Sequence, residues 1–211
     1  MRPIIGITAD IAEDRFRVGK NYAACIDQAG GIPIILLPIL CQAQQYIDIC
    51  AGFVFTGGDD PVMEQWGIKS HPSTTPCDNN RQKFETSLLE LLLVHPDKPV
   101  FGICLGMQWM GLLAGGILTQ DLNADVAVHH KTGTHSIEGE IGRGIVHTSH
   151  HQAMSETGTL TITALADDGV IEAVRDLNRK WYVGVQWHPE RTEEVNLGQG
   201  LFNQFCAAAT I

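Results

Sequence analysis

The sequence predicts an α/β fold: a central, mostly parallel sheet with helices on both faces, and a small antiparallel β region in the second half. Three observations point there. Short apolar runs alternate with stretches of helical periodicity through the first half of the chain. One of those runs, Ile32–Pro38 (IPIILLP), is apolar without a break, as in a strand covered on both faces. From about Ser136 the pattern changes to short β-like runs separated by turn residues.

The elements follow in order. Arg2–Thr8 (RPIIGIT) reads as a first strand. Tyr22, Cys25, Ile26 and Ala29 stand at helical spacing and end at Gly30-Gly31, a helix stop. Ile32–Pro38 is the second strand, and Gln42–Ala51 is a helix candidate. Gly52–Gly58 (GFVFTGG) is a strand that ends in glycines. Asp78 can cap a helix from about Asn79 to Val94, with Phe84, Leu88, Leu91 and Leu92 as its buried stripe. Pro99–Cys104 (PVFGIC) is again a strand, and Leu105–Leu113 starts the helix behind it. Ile137–Thr148, Thr159–Ala166, Gly169–Asp176 and Lys180–Trp187 supply the later β-like runs, and Thr192–Ala209 reads as a closing helix. With no repeat, low-complexity tract or linker, residues 1–211 are expected to form a single domain.

Composition narrows the function. A formal charge of -10 and the lack of any Lys/Arg run make nucleic acid or an anionic membrane surface an unexpected partner, while leaving room for a locally basic pocket and a small anionic substrate. No apolar segment reaches the roughly 18 residues of a membrane span. Met1-Arg2-Pro3 leads into an apolar run too short for a signal core. The six scattered cysteines form no CxxC pair, which suits free thiols in a reducing cytoplasm.

Most of those cysteines fit apolar or helical patterns and read as small buried hydrophobes. Cys104 differs in context. Gly102-Ile103-Cys104-Leu105-Gly106 lies where a strand gives way to a helix, the thiol form of a nucleophile elbow. Small neighbours let such a turn close. The thiol would then sit at a helix N-terminus, where free N–H groups favour a thiolate, and the Leu105 N–H would face a developing oxyanion. A nucleophile also needs a base. His188 ends an apolar strand just before Pro189, and Glu190 follows two residues on, placed to fix the imidazole's tautomer; the plain alternative is an exposed turn histidine. Thr56-Gly57-Gly58 closes another strand and offers unobstructed N–H groups, though Gly-Gly-Asp is also a common turn. The histidine pairs 129–130 and 150–151, with His135 and His147, match no standard ligand spacing, so no metal is expected and these loop histidines are read as solvated.

The segments GICLGMQ, GVQWHPE and FTGGDD together resemble the class I glutamine amidotransferases, with their flavodoxin-like fold and Cys-His-Glu triad. Within that group TGGDDPVMEQWG, DNNRQKFE, VHTSHHQ and DDGVIEAV are similar to the γ-glutamyl hydrolases of the peptidase C26 type, among them the γ-glutamyl-γ-aminobutyrate hydrolases. Four positions depart from that branch. Gln82 replaces an Asp, His147 and Thr148 replace Asn and Ser, and Leu105 stands where many of the hydrolases carry Arg and the ammonia-supplying amidotransferases carry Leu.

The resemblance implies a cofactor-free hydrolase that cleaves the γ-glutamyl amide of a small amine through a γ-glutamyl thioester. Cys104, His188 and Glu190 would be catalytic. Gly58 and Leu105 would form the oxyanion hole. Gly57 and Gln108 would touch the substrate, with a helix-surface or core-edge role as the alternative for Gln108. Arg81 could meet a substrate carboxylate or pair with Glu85 one helical turn on, the latter favoured by i,i+4 spacing. A homodimer is a possible assembly. The alternative function is a glutaminase subunit that passes ammonia to a separate synthase partner.

Overall fold

The structure is a computed structural model and describes residues 1–210; Ile211, the last residue of the expected domain, lies outside the described residues. Its strands are β1 (Ile4–Thr8), β2 (Asp10–Ala12), β3 (Arg15–Arg17), β4 (Ile32–Leu36), β5 (Gly52–Phe55), β6 (Val100–Ile103), β7 (Ile117–Thr119), β8 (Gly133–Gly139), β9 (Gly142–Thr148), β10 (Ala153–Glu156), β11 (Thr161–Ala166), β12 (Ile171–Arg175) and β13 (Tyr182–Val185). The helices are α1 (Lys20–Gln28), α2 (Ala43–Ile49), α3 (Asn79–Leu92), α4 (Leu105–Leu113), α5 (Ala124–His130) and α6 (Gln199–Ala208).

Nine strands form one sheet in the order β4-β1-β5-β6-β13-β12-β11-β8-β9. The first five are parallel, and their order is that of a flavodoxin-like doubly wound sheet. The α/β expectation therefore holds. The antiparallel part lies in the second half as expected: β12, β11, β8 and β9 continue the same sheet beyond β13, and β7 pairs with β10 in a separate ribbon. Strand residues alternate between two cores. Phe53 and Phe55 pack with Phe84, Leu88 and Ile47 on the α2–α3–α4 face, while Val54, Phe101 and Ile103 pack with Ile26, Phe202 and Phe205 on the α1–α6 face.

Three expectations shift in detail. Ile32–Leu36 is an edge strand that pairs only with β1, and Ile32 and Ile35 stay 40% and 55% exposed, so its apolar run is not covered on both faces. Asp78 caps α3 as expected, its carboxylate accepting from the N–H groups of Asn80 and Arg81, but the helix stops at Leu92 and Leu89 rather than Leu91 faces the core. The closing helix starts only at Gln199, after a bend at Gly198. The sequence pattern missed the β2–β3 hairpin, α5 and the β7–β10 ribbon. In the hairpin the turn residue Glu13 adopts φ 56°, a conformation that nothing in Ala12-Glu13-Asp14 advertises.

Candidate active site

The carboxyl ends of four parallel strands meet at one cavity of about 420 Å³. Asp10 follows β1, Thr56-Gly57-Gly58 follow β5, Cys104 follows β6, and His188 lies just past β13. In an open doubly wound sheet this is where the strand order reverses and a crevice opens. β1 and β5 leave it with their helices on opposite faces of the sheet.

Cys104 has φ 53° and ψ -106°, and besides Glu13 it is the only non-glycine with positive φ among the described residues. That strain is the signature of a nucleophile elbow, and the neighbours show how it is accommodated. The Cys104 N–H donates to the Val185 carbonyl at 2.8 Å, and its carbonyl accepts from the Gln108 N–H at 3.1 Å, so the turn is pinned between β13 and the first turn of α4. A Cβ on Gly102 would collide with Met110 and the backbone of Gly106, and one on Gly106 would collide with the Phe55 carbonyl. Both glycines are therefore required for the elbow to pack. The Leu105 N–H heads α4 and has no acceptor inside the helix.

His188 faces the same cavity. Its Nδ1 lies 2.8 Å from Glu190 Oε1, which fixes Nδ1–H as the donor and leaves Nε2 for Cys104. Burial alone would lower the imidazole's pKa; hydrogen bonds with Cys104 and Glu190, and the charges of both, outweigh it and raise the value to about 10. The backbone holds the ring in place. His188 N–H donates to the His147 carbonyl at 2.8 Å, and Thr192 Oγ1 donates to the His188 carbonyl at 2.9 Å. Past the end of β13 at Val185, Pro189 opens a single 3-10 turn, Pro189–Arg191, which brings the Glu190 carboxylate back against the ring. Arg191 Nε, 3.2 Å from the same Glu190 oxygen, braces that carboxylate from the rim.

Gly57 and Gly58 form the opposite wall. The Gly57 N–H donates to the Tyr22 hydroxyl at 3.2 Å, which leaves Gly58 as the next N–H of the strand end. A Cβ on Gly57 would sit 2.9 Å from His188 Cε1 and 3.4 Å from Cys104 Cβ, so only glycine lets this wall approach both groups. The segment is held from beneath by Arg81, fully buried. Arg81 Nη2 donates to the carbonyls of Thr56 and Gly57, each at 3.0 Å; Nη1 meets Asp10 Oδ1 at 3.0 Å and Nε meets Glu85 Oε1 at 2.7 Å. The ion pair with Glu85 is present, and Arg81 is a scaffold residue rather than a cavity residue. Burial pushes the Glu85 carboxyl up, an effect that Arg81 partly offsets.

One expected contact, Gln108, falls outside the cavity wall, and Gln82 serves the loop beyond it. Gln108 is buried and donates to Gln186 Oε1 at 3.3 Å, and it does not line the cavity. Gln82 receives the Val62 N–H at 2.8 Å and donates to the Val62 carbonyl and to Gln65, holding the loop that follows Gly58. The wall also contains groups that sequence reasoning passed over: Asp10 and Arg17 from the unpredicted hairpin, Arg191 and Ser149. Only the basic character of Arg17 and Arg191 in a chain of net negative charge could have flagged them.

The histidines correct the sequence reading more sharply. The sequence pattern predicts solvated loop histidines with no shared site. Yet His130 and His150 are buried and the His135 side chain is only 9% exposed. The three meet Glu172, with one ligand atom from each of the four residues, and all of these atoms lie within 4.8 Å of one another. They come from α5, β8, the turn after β9 and β12, a convergence that linear spacing cannot reveal.

Comparison with known proteins agrees with the fold. The profile of the peptidase C26 family matches residues 3–190. Protein NtpR of Enterococcus hirae is 32% identical, with 97% of this chain and 98% of that protein aligned. The γ-glutamyl-γ-aminobutyrate hydrolase PuuD of Escherichia coli is 25% identical over 98% of this chain and 93% of its own length. A glutamine amidotransferase structure from Thermotoga maritima superposes with a TM-score of 0.65 at 15% identity, covering 90% of this chain and 77% of the other. No helix among the described residues is long and apolar enough to cross a membrane.

Proposed function

The chain belongs to the peptidase C26 family, whose members are glutamine amidotransferase-like, and from that premise we propose that it is a cysteine-dependent hydrolase of the γ-glutamyl amide of a small amine, acting as a single domain. One observation carries the reading: the strained Cys104 at the head of α4 shares a cavity with His188, whose Nδ1 is bound to Glu190 at 2.8 Å.

In the proposed reaction His188 Nε2 takes the Cys104 thiol proton and the sulfur attacks the γ-carbonyl carbon. The tetrahedral oxyanion lies between the N–H groups of Leu105 and Gly58. As the C–N bond breaks, His188 returns the proton to the leaving amine, and a γ-glutamyl thioester remains. Water then gives its proton to His188 and its oxygen to the acyl carbon, releasing glutamate and regenerating the thiol. Gly57 shapes the wall beside the reacting carbon. Arg17 and Arg191 at the rim supply positive charge suited to the carboxylates of the glutamyl group and of an amino-acid-like amine.

The alternative is a glutaminase subunit that delivers ammonia to a separate synthase. Leu105 favours it, because an apolar, buried side chain stands where many hydrolases place Arg. A panel of γ-glutamyl amides, glutamine included, assayed with the isolated chain separates the two. The hydrolase reading expects turnover of at least one γ-glutamyl amine without a partner, and abolition of that turnover by Cys104→Ala. Full activity in Cys104→Ala would remove the mechanism, and glutamine cleavage only on addition of a partner would favour the subunit.

A further inference from the structure

Away from the cysteine cavity, four side chains from four segments aim at one point. His130 ends α5, His135 lies in β8, His150 is in the turn after β9, and Glu172 is in β12. The outer nitrogen of each ring is already committed. His130 Nε2 lies 3.0 Å from Asp168 Oδ2, His135 Nδ1 lies 3.1 Å from the Ser136 carbonyl, and His150 Nδ1 lies 2.9 Å from the Gln152 carbonyl. Carbonyls and carboxylates accept only, so each outer nitrogen carries the proton. In the neutral ring the inner nitrogens, His130 Nδ1, His135 Nε2 and His150 Nε2, are then bare lone pairs, and they face a carboxylate. Four acceptors converge with no donor between them. His135 Nε2 and both Glu172 oxygens have no hydrogen-bond partner among the described residues.

Four of the six distances among these atoms identify what fits, and His135 Nε2 lies within 4.8 Å of the other two nitrogens. His130 Nδ1 and His150 Nε2 are 3.2 Å apart, and Glu172 Oε1 lies 3.3, 3.5 and 3.4 Å from the inner nitrogens of His130, His135 and His150. A tetrahedral ion with ligand bonds of about 2.0–2.1 Å has ligand–ligand edges of about 3.3–3.4 Å. Outer ring nitrogens held by a carboxylate or backbone carbonyls are the support that metal-bound histidines have. We propose that His130, His135, His150 and Glu172 form a closed tetrahedral Zn²⁺ site.

With four protein ligands it has no open position, so its role is structural. The ion clamps α5, β8 and β12 to the turn that carries His150, whose neighbour Ser149 lines the cysteine cavity. A separate cavity of about 430 Å³, bordered by His130, His135 and Asp168, gives the ion a way in. Binding displaces only whatever protons the four groups share.

The test uses the full chain, stripped with a chelator and then titrated with Zn²⁺ or Co²⁺. The expected results are one ion per chain, the intense visible absorption of four-coordinate Co²⁺, and a higher melting temperature with Zn²⁺. His135→Ala and Glu172→Gln should each weaken Zn²⁺ binding at least a hundredfold, while His129→Ala, an exposed neighbour on α5, should bind as the wild type does. Weak six-coordinate Co²⁺ absorption, no Zn²⁺-dependent melting shift, or equal weakening by His129→Ala would overturn the proposal and leave a proton-sharing histidine network. Should either ligand variant fail to fold, the wild-type Co²⁺ spectrum and stoichiometry decide alone.

Discussion

Replacing Arg81 with Met tests whether the wall of the cavity is built from beneath. The guanidinium is fully buried and makes contacts of 2.7–3.1 Å with Glu85, Asp10, Thr56 and Gly57. Removing it strands the Glu85 carboxylate, also fully buried, whose remaining donors include Trp109 Nε1 at 3.0 Å. Breaking a buried pair in this way costs about 3–5 kcal/mol. At about 2–4 °C per kcal/mol for a chain of this size, the melting temperature should fall by about 6–20 °C. The loss should depend on pH. Burial already holds the folded-state pKa of Glu85 above the ordinary 4.5, and it climbs further without Arg81. Stability tied to the neutral carboxyl is fully present below the unfolded value and disappears as pH rises through the folded one. Urea unfolding at pH 5 and pH 8 should therefore show a larger Arg81→Met deficit at pH 8. Arg81→Met with Glu85→Gln should recover at least half of it, because the amide carries no charge and still accepts from Trp109. Equal deficits at both pH values, or no recovery in the double variant, would refute the reasoning.

Four further outcomes are expected. Glu190→Gln should lower kcat by about 10²–10⁴-fold and move the alkaline limb of the pH–rate profile to lower pH, because a carboxylate that helps to raise His188 to about 10 is gone; an unmoved limb would separate Glu190 from His188. The stability that His188 contributes through its raised pKa is complete below about 6.5 and is lost as pH rises through about 10, so wild-type urea midpoints should fall across that window and Cys104→Ala should flatten the fall. Gly106→Ala places a Cβ against the Phe55 carbonyl, where only backbone could give way, and should cost about 1–3 kcal/mol or more by thermal melting with loss of activity. Iodoacetamide near neutral pH should label Cys104 and the exposed Cys41 before the others, as read by mass spectrometry: burial pushes the Cys25, Cys50 and Cys206 thiols up to about 11 and Cys77 to about 12.

What the sequence made legible was local. Gly102, Cys104 and Gly106 crowd one turn, and the strain at Cys104 follows from packing within a few residues of it and against β5. His188, Pro189 and Glu190 are likewise one compact device, since the 3-10 turn that Pro189 opens sets the carboxylate of the next residue against the His188 ring. Strand runs with apolar residues on both faces, as in β5 and β6, stood out for the same reason. Features that depend on the register between distant segments were not legible. β4 carries as apolar a run as a central strand, and only its place at the sheet edge leaves Ile35 exposed. Asp10 and Arg17 reach the cavity through a hairpin whose turn has no glycine or asparagine to mark it.

The same distinction explains why the cavity was easier to read than its supports. A reacting group must sit at a strand end beside small residues, and that need is written in adjacent letters. The groups that hold it can come from anywhere the fold delivers them. Gly58 can present its N–H only if the strand end is fixed, yet the group fixing it, Arg81, lies 24 and 25 residues from the two carbonyls it binds. Tyr22 reaches Gly57 from 35 residues away, and His150 meets His130 from 20. The i,i+4 spacing disclosed one of the Arg81 contacts, the pair with Glu85, and none of the others. It follows that variants in these remote supports should alter the cavity as strongly as changes in its rim.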